Sequence, residues 1–242
     1  LARYVEKYDA DPDAVLMSGM VMVGAIALQK PAVDMSRIAP LARLTSDYEV
    51  VVVKGDSPIV TAKDLIAKMR ADPANTAIAG GSAGGVDHMF AGILSRAAGN
   101  TSALVYLPSR AARRWCRRWS RARPSPASPA TANSASTSPA ASCVRSACHR
   151  EVRSWACLRA AAGVDADLAN WRGVFTGKAV PTSRQAVLLD AVRRAVATDV
   201  WQKALKRSNW DSYWMEGSDF QGFLDLDQSM AGVLTYILKL KS

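Results

Sequence analysis

The sequence lacks a long apolar run, has few histidines and confines its cysteines to one segment. Its longest wholly apolar run, Met20 to Leu28, is far shorter than the roughly 20 residues that a membrane-spanning helix needs, so no such helix is predicted. The stretch from Leu1 to Tyr8 has a helical pattern and shows no signal-peptide succession of charged, apolar and cleavage-site residues. We therefore expect the chain to be truncated at its start. Its 49% apolar content is that of a globular chain with one large or two small domains.

Positive charge is in excess in only one part of the chain. The formal net charge is +10, and eleven of the 31 Lys and Arg residues, but only one of the 21 acidic residues, lie in 109–162. The other residues therefore carry 20 charges of each sign. The same segment holds all four cysteines and has no Lys, Asp or Gly. The net charge thus describes one segment and does not by itself indicate a nucleic-acid-binding protein.

Three interpretations of residues 109–162 compete: a disordered basic linker, an arginine-rich arm that binds nucleic acid, and a stretch translated out of frame. Tryptophan and cysteine are not typical of Pro/Ser/Ala linkers, and an arm that binds phosphates would use Lys as well as Arg. GC-rich codons translated out of frame yield these residue types, and shifting synonymous codons for 110–134 by one base gives a plausible glycine loop, helix and strand. We therefore predict a frameshift. The last three cysteines, around His149, match no zinc-site spacing, so no metal is predicted.

The chain is organised around residues 77–98, where a short apolar strand runs into a glycine loop and then a helix. Four glycines occur among the six residues from Gly80 to Gly85, and apolar residues then recur at helical spacing. Glycines let the backbone approach a ligand closely, and the first amides of a helix lack intrahelical partners and lie at its positive end. The sequence therefore predicts an anion site for a carboxylate or a phosphate. The alternative is a glycine-rich turn that binds nothing.

A more specific interpretation is that this loop is the nucleophile elbow of a serine hydrolase. Residues 80–84 fit the G-x-S-x-G nucleophile elbow, but Ser82 would need a later acid and then a later histidine. The two histidines are His88, on the following helix, and His149, in the anomalous segment. A serine hydrolase that uses Ser82 is therefore the weaker alternative.

The residues after the loop argue against a nucleotide. A Walker-type loop would need Lys and then Ser or Thr where Val86 and Asp87 stand. Asp87 would repel a phosphate, whereas in an ordinary helix it would complement the helix dipole. We expect Asp87 and His88 to be surface residues at the start of a helix, with ligand contact as the alternative.

The remaining segments alternate between strand and helix patterns. Strands are predicted at Ala14–Met17, Ile38–Leu44, Glu49–Val53, Ala103–Leu107 and Asn170–Phe175, and helices at Leu1–Tyr8 and Met20–Leu28 and from Thr61, Val86, Ser183 and Ser218 onward. Thr61 and Asp64 form a capping-box pattern, and the aromatic residues near the C-terminus are expected in the core. The β-branched run at 49–53 is typical of a buried parallel strand. This alternation predicts a doubly wound α/β sheet.

Four stretches of the sequence resemble one family. V-L-M-S-G-M at 15–20, I-A-P-L-A-R-L-T-S-D-Y-E-V at 38–50, A-I-A-G-G-S-A-G-G-V-D-H at 77–88 and L-A-N-W-R-G-V-F at 168–175 are similar to TctC-like (Bug) solute-binding proteins of tripartite tricarboxylate transporters. The resemblance implies an α/β fold, a periplasmic-binding-protein-like two-lobed clamshell of type II. We expect this fold to be incomplete, because the family's first strand and proline-glycine loop are absent and the anomalous segment replaces half of the second lobe.

The resemblance also implies a division into lobes. Lobe 1 would comprise 1–50 and 176–242, and lobe 2 would comprise 51–108 and 163–175, with 109–162 as the anomalous segment. The strands that cross between the lobes would be Glu49–Val53 and Trp171–Phe175. Arg172, beside the second crossing, is expected either in a structural ion pair or in the ligand site.

The implied ligand is a small carboxylate held between the lobes. Ser18 and Gly19 would line the first lobe. The second lobe would hold the ligand with Gly81, Ser82, Ala83, Gly84, Gly85 and Asp87. By the same resemblance we expect a periplasmic monomer that works with the membrane components of a transporter, without catalysis, cofactor or nucleic acid. We also expect binding to be impaired in this chain. The Arg-rich nucleic-acid-binding protein remains the alternative.

Overall fold

A computed structural model of the chain describes residues 1–49, 51–53, 57–108, 155–156 and 168–238. The α-helices of these residues are Ala2–Tyr8 (α1), Met20–Gln29 (α2), Ala62–Ala71 (α3), Val86–Ala97 (α4), Thr182–Val196 (α5), Asp199–Ser208 (α6) and Gly217–Ile237 (α7). The strands are Leu16–Gly19 (β1), Ile38–Tyr48 (β2), Val51–Val52 (β3), Ile78–Ala79 (β4), Tyr106–Leu107 (β5), Trp155–Ala156 (β6), Ala169–Gly177 (β7) and Asp211–Glu216 (β8). Apart from the backbone of β6, the predicted out-of-frame segment lies outside the described residues.

The main sheet has four strands in the order β1-β7-β2-β8. All of its pairings are antiparallel, and β2 lies between β7 and β8 with irregular register at Pro40/Ala42 and Arg43/Thr45. Proline has no amide hydrogen to donate to a neighbouring strand, which fits a register shift beside Pro40. Strand β2 runs four residues past the predicted end at Leu44, because β7 pairs with it as far as Tyr48.

The expectation of a doubly wound parallel sheet is wrong for this main sheet. Parallel pairing within the described residues joins β4 to β5, with Ile78 opposite Tyr106. Strand β3, predicted to be a buried parallel strand, pairs antiparallel with β6. A β-branched apolar run indicates burial on both faces, but it does not encode the direction of a partner that comes from a distant part of the chain.

The core is built where α2 and α7 pack on the main sheet and α4 packs against α2. Its centre is a set of aromatic residues in contact with one another, in which Phe220 meets Trp171 edge-on at 6.0 Å and lies 5.7 Å from Phe175. The Trp171 indole N–H donates to Asp227 Oδ2 at 3.0 Å, so this buried polar atom has a partner on α7. A second, smaller cluster on β2 and β7 packs against α5. Of the C-terminal aromatics predicted to lie in the core, Phe220 is buried and Trp201 and Phe223 pack half-buried against the core clusters. Trp210 is half-buried beneath the Arg172 guanidinium.

Most predicted helices are confirmed, with ends that shift by a few residues. Thr61 and Asp64 form the predicted capping box at the start of α3. Helix α6 and strand β8 had not been predicted. The signals for α6 are local: Thr198 caps it by accepting from the Trp201 amide, and Asn209 ends it in the left-handed conformation. Among the described helices, none combines the length and the apolar character needed to cross a membrane.

Candidate anion site at the glycine loop

The glycine loop joins β4 to α4, as predicted. Gly80 to Gly85 follow the strand directly, and Gly85 occupies the position before the first helical residue, Val86. Gly84 has a φ of +78°, a conformation that residues with a Cβ rarely adopt. The local sequence therefore produces a strand-loop-helix unit with its amides near the positive end of a helix.

Helix α2 packs directly on this loop through a second glycine. A Cβ added at Gly24 would lie 2.0 Å from the Gly84 carbonyl oxygen, so no side chain fits there. A Cβ at Gly84 would in turn lie 2.9 Å from the Gly24 carbonyl oxygen. Gly24 is not among the predicted site residues, although an isolated glycine inside an apolar helix is a known sign of close packing.

Three of the loop's amides are used within the protein. The Gly84 N–H donates to His88 Nδ1 at 3.1 Å, and the Gly85 N–H donates to the Ser82 carbonyl at 2.9 Å. The Gly81 N–H donates to the Asp87 carboxylate. For the amides of Ser82 and Ala83, by contrast, the described part of the chain supplies no acceptor. Ser82 is exposed and Ala83 half-buried, so an anion can approach both.

His88 helps to fix the conformation of the glycine loop through its hydrogen bond with Gly84. It is buried, and its ring stacks on Tyr106 with centroids 4.2 Å apart and planes 14° apart. Because its Nδ1 accepts from the Gly84 amide, the proton of the neutral ring is on Nε2. Burial lowers the pKa of His88 to about 4, which keeps the ring neutral and the hydrogen bond intact. The Tyr106 hydroxyl donates to the Gly81 carbonyl at 3.2 Å, which fixes the other end of the loop.

A pair of carboxyl groups lies under the loop. Asp87, only 9% exposed, is hydrogen-bonded to Glu49, the residue that follows β2. Burial raises the pKa of Glu49 to about 9, and the nearby charge of Asp87 acts in the same direction. Burial also raises the pKa of Asp87, although its hydrogen bonds to Glu49 and to the Gly81 N–H act against this. Glu49 had not been predicted as a site residue; the signal was an acidic side chain at the start of an apolar β-branched run.

The expectation that Asp87 and His88 lie on the surface is wrong. Both are buried because the first turn of α4 faces β5 and the end of β2. Helical spacing had placed them beside the apolar residues Val86 and Met89, but it could not show that the loop and β5 cover this turn on the other side.

Arg172 forms an ion pair next to the carboxyl pair. Its guanidinium contacts Asp47 Oδ1 at 2.5 Å and lies over the Trp210 ring at 4.3 Å. Asn170 Nδ2 also donates to Asp47, at 3.4 Å. Of the two roles predicted for Arg172, the structure thus shows the ion pair, and its positive charge lowers the pKa of Glu49.

Ser18 and Gly19 lie directly before α2, the helix that packs on the glycine loop at Gly24. Both are in β1, where they pair with Gly173 and Arg172, and Gly19 precedes the first residue of α2. A Cβ at Gly19 would lie 1.9 Å from the Trp171 carbonyl oxygen. Four helical residues lie between Gly19 and the loop contact at Gly24, which corresponds to ~7.5 Å of helix length. Both predicted groups of site residues thus adjoin α2, which begins after Gly19 and packs against Gly84 at Gly24.

The hydrolase and metal interpretations gain no support from the geometry. His88 engages Gly84 rather than Ser82, and His149 lies outside the described residues. Over the part of the chain that the structure describes, no group of three His, Cys, Asp or Glu residues is arranged to hold a metal ion. The nucleic-acid alternative depends on 109–162, which apart from the backbone of 155–156 also lies outside the described residues.

Comparison with known proteins identifies the fold. No protein-family model and no curated protein matches the sequence. Among solved structures, a TctC solute-binding protein from Polaromonas shares 15% identity, with 97% of this chain and 81% of that chain covered and a TM-score of 0.61. The periplasmic binding protein BugD shares 13% identity, with 99% and 83% covered and a TM-score of 0.71. An R. palustris protein solved with adipate shares 18% identity, with 99% and 82% covered and a TM-score of 0.68. The chain therefore has the α/β fold of periplasmic solute-binding proteins, and its structural neighbours are of the TctC and Bug kind.

Proposed function

We propose that this chain is a TctC-like (Bug) solute-binding protein that binds a small carboxylate at the glycine loop. The observation that carries the proposal is the pair of amides at Ser82 and Ala83, next to the N-terminus of α4, for which the described residues supply no acceptor. A carboxylate has two oxygens that accept such amides, and the helix dipole favours its charge. The adipate in one structural neighbour supports a dicarboxylate as the first candidate ligand.

Six of the eight predicted site residues have distinct parts in this proposal. Ser82 and Ala83 would donate their amides to the ligand, and the Ser82 hydroxyl would add a further donor. Gly84 and Gly85 would shape the loop rather than touch the ligand, because their amides are already engaged. Ser18 and Gly19 would contribute the far side of the site, next to α2.

The wider assignments are also proposals. We propose a monomer in the periplasm that passes its ligand to the membrane components of a tripartite transporter, with the lobes divided at 50/51 and 175/176. We further propose that 109–162 is out of frame and that ligand affinity is reduced as a result. The nucleotide sequence around the codons for Ser109 and Ala162 tests the frameshift directly.

Calorimetry on the full chain tests the function. Mono-, di- and tricarboxylates are titrated into the wild type and into Ala83→Glu, which places a negative charge where the ligand carboxylate would lie. We expect wild-type binding and a loss of roughly tenfold or more in Ala83→Glu. Ala74→Glu, at an exposed position after α3, is the matched control and should bind like wild type.

Two results would contradict the proposal. One is equal affinity of Ala83→Glu and wild type, which would put the ligand elsewhere. The other is the absence of carboxylate binding together with salt-sensitive nucleic-acid binding that is lost when 109–162 is deleted, which would favour the alternative function.

A further inference from the structure

The carboxyl pair formed by Glu49 and Asp87 is unusual because both groups lie beneath a loop that is proposed to bind an anion. A hydrogen bond between two carboxyl groups requires a proton on one of them, since two carboxylates are acceptors only. Glu49 Oε1 is buried as well and has no hydrogen-bond partner in the described part of the chain. A single negative charge on the pair is therefore favoured, because a second charge would be poorly solvated at this buried position.

The pair and the proposed ligand use the same end of the helix. The Asp87 carboxylate accepts from the Gly81 amide, and a Cβ built on Gly81 would lie 2.4 Å from Asp87 Oδ2. Asp87 thus fills part of the space in which α4 favours an anion, next to the unengaged amides of Ser82 and Ala83. The negative charge of the pair would therefore repel a ligand carboxylate at those amides over a short distance.

Neighbouring groups do not cancel that charge. Asp47 at the end of β2 adds a further negative charge, and the cation that faces Glu49, Arg172 of β7, is already paired with Asp47. From β5, Tyr106 donates its hydroxyl to the Gly81 carbonyl. From α4, His88 is neutral. The shared proton is thus the remaining means of limiting negative charge beneath the loop.

We propose that one proton shared by Glu49 and Asp87 sets the affinity of the Ser82–Ala83 amides for carboxylates, so that uptake of the ligand and retention of this proton are coupled. The inference rests on the proposed function and adds a regulatory role for two residues that need not touch the ligand. Loss of the proton doubles the charge beneath the loop, and the ligand is then repelled. Glu49 and Asp87 would thus set the charge beside the ligand without touching the ligand.

The test is an adipate titration from about pH 7 to about pH 10, a range in which the ligand's own charge is constant. For the wild type we expect affinity to fall roughly tenfold as the second charge appears. Glu49→Gln keeps a hydrogen-bond donor toward Asp87 but cannot ionise, so its affinity should stay constant over this range. Asp87→Asn removes the charge next to the loop and should bind more tightly than wild type at every pH. Asp219→Asn, an exposed acid in the first turn of α7, is the matched control and should follow the wild-type profile.

Infrared difference spectra provide a measurement that does not depend on ligand binding. At neutral pH the wild type should show the C=O band of a protonated carboxylic acid, and Glu49→Gln should lack it. A wild-type affinity that is constant up to about pH 10, or the absence of this band, overturns the inference while the proposed function stands. If neither the wild type nor any variant binds a carboxylate, the proposed function fails and the coupling fails with it, even if the band is present.

Discussion

Two helices of this protein follow a strand and a glycine in sequence but differ in the loop that leads into them. Helices α2 and α4 both follow a short strand and a glycine. At α2, the junction glycine Gly19 lies against the backbone of β7, and no acidic side chain is present in the first turn. At α4, a six-residue loop precedes the helix, and Asp87 of the first turn folds back to bind one loop amide. The two junctions therefore differ in the length of the loop before the helix and in whether a first-turn carboxylate binds a loop amide.

The largest expected effect comes from disrupting the contact between α2 and the glycine loop that precedes α4. Gly24→Ala drives a Cβ into the Gly84 carbonyl, a backbone atom that cannot move without displacing the loop. We expect a loss of about 3 kcal/mol in the free energy of unfolding, measured by chemical denaturation. Gly222→Ala is the matched control, because this helical glycine in α7 has open space around it, and it should gain up to about 1 kcal/mol. Equal effects of the two substitutions would contradict the close packing of α2 on the loop.

A second prediction concerns alkaline pH and the carboxyl pair, which has no counterpart at α2. Because the pKa of Glu49 is about 9 in the folded protein and lower when unfolded, the folded state holds the extra proton. Stability from this group is therefore complete below about pH 4.5 and is lost progressively as pH rises toward 9. Glu49→Gln should remove this slope and exceed the wild type by about 1–3 kcal/mol near pH 9. Parallel stability profiles of wild type and Glu49→Gln would show that Glu49 ionises normally.

A smaller effect is expected at acid pH, from the histidine that supports the loop of α4. The pKa of His88 is lowered to about 4, so the unfolded chain binds a proton there more readily than the folded one. Stability from this group is complete above about pH 6.5 and is lost as pH falls toward 4. His88→Gln should lower the free energy of unfolding by about 1 kcal/mol at neutral pH and flatten the acid limb. An unchanged acid limb in His88→Gln would assign the loss of stability to other groups.

The parts of this structure that could be predicted from sequence are those specified locally. Helical spacing after Gly85 gave α4, the Thr61–Asp64 pair gave the cap of α3, and the glycine loop was placed correctly between β4 and α4. These features depend on neighbours within a few residues, for which propensity and hydrogen bonding are sufficient.

The remaining features depend on contacts between distant segments. The antiparallel pairing of β2 with β7 joins residues that are far apart in the chain, and no local pattern specifies such a partner. The same holds for Glu49, which becomes part of the site only because the end of β2 meets the first turn of α4. The burial of Asp87 and His88 follows from that contact. The sequence thus predicted where the amides are, but not which of them the protein uses itself.

The most direct measurement is a two-dimensional amide NMR titration of the full chain with adipate at neutral pH. The account predicts saturable shifts that are largest at the Ser82 and Ala83 amides and smaller at Gly84 and Gly85, whose N–H groups already have acceptors. Shifts that are absent at Ser82 and Ala83, or that are largest at residues remote from the loop, would contradict it.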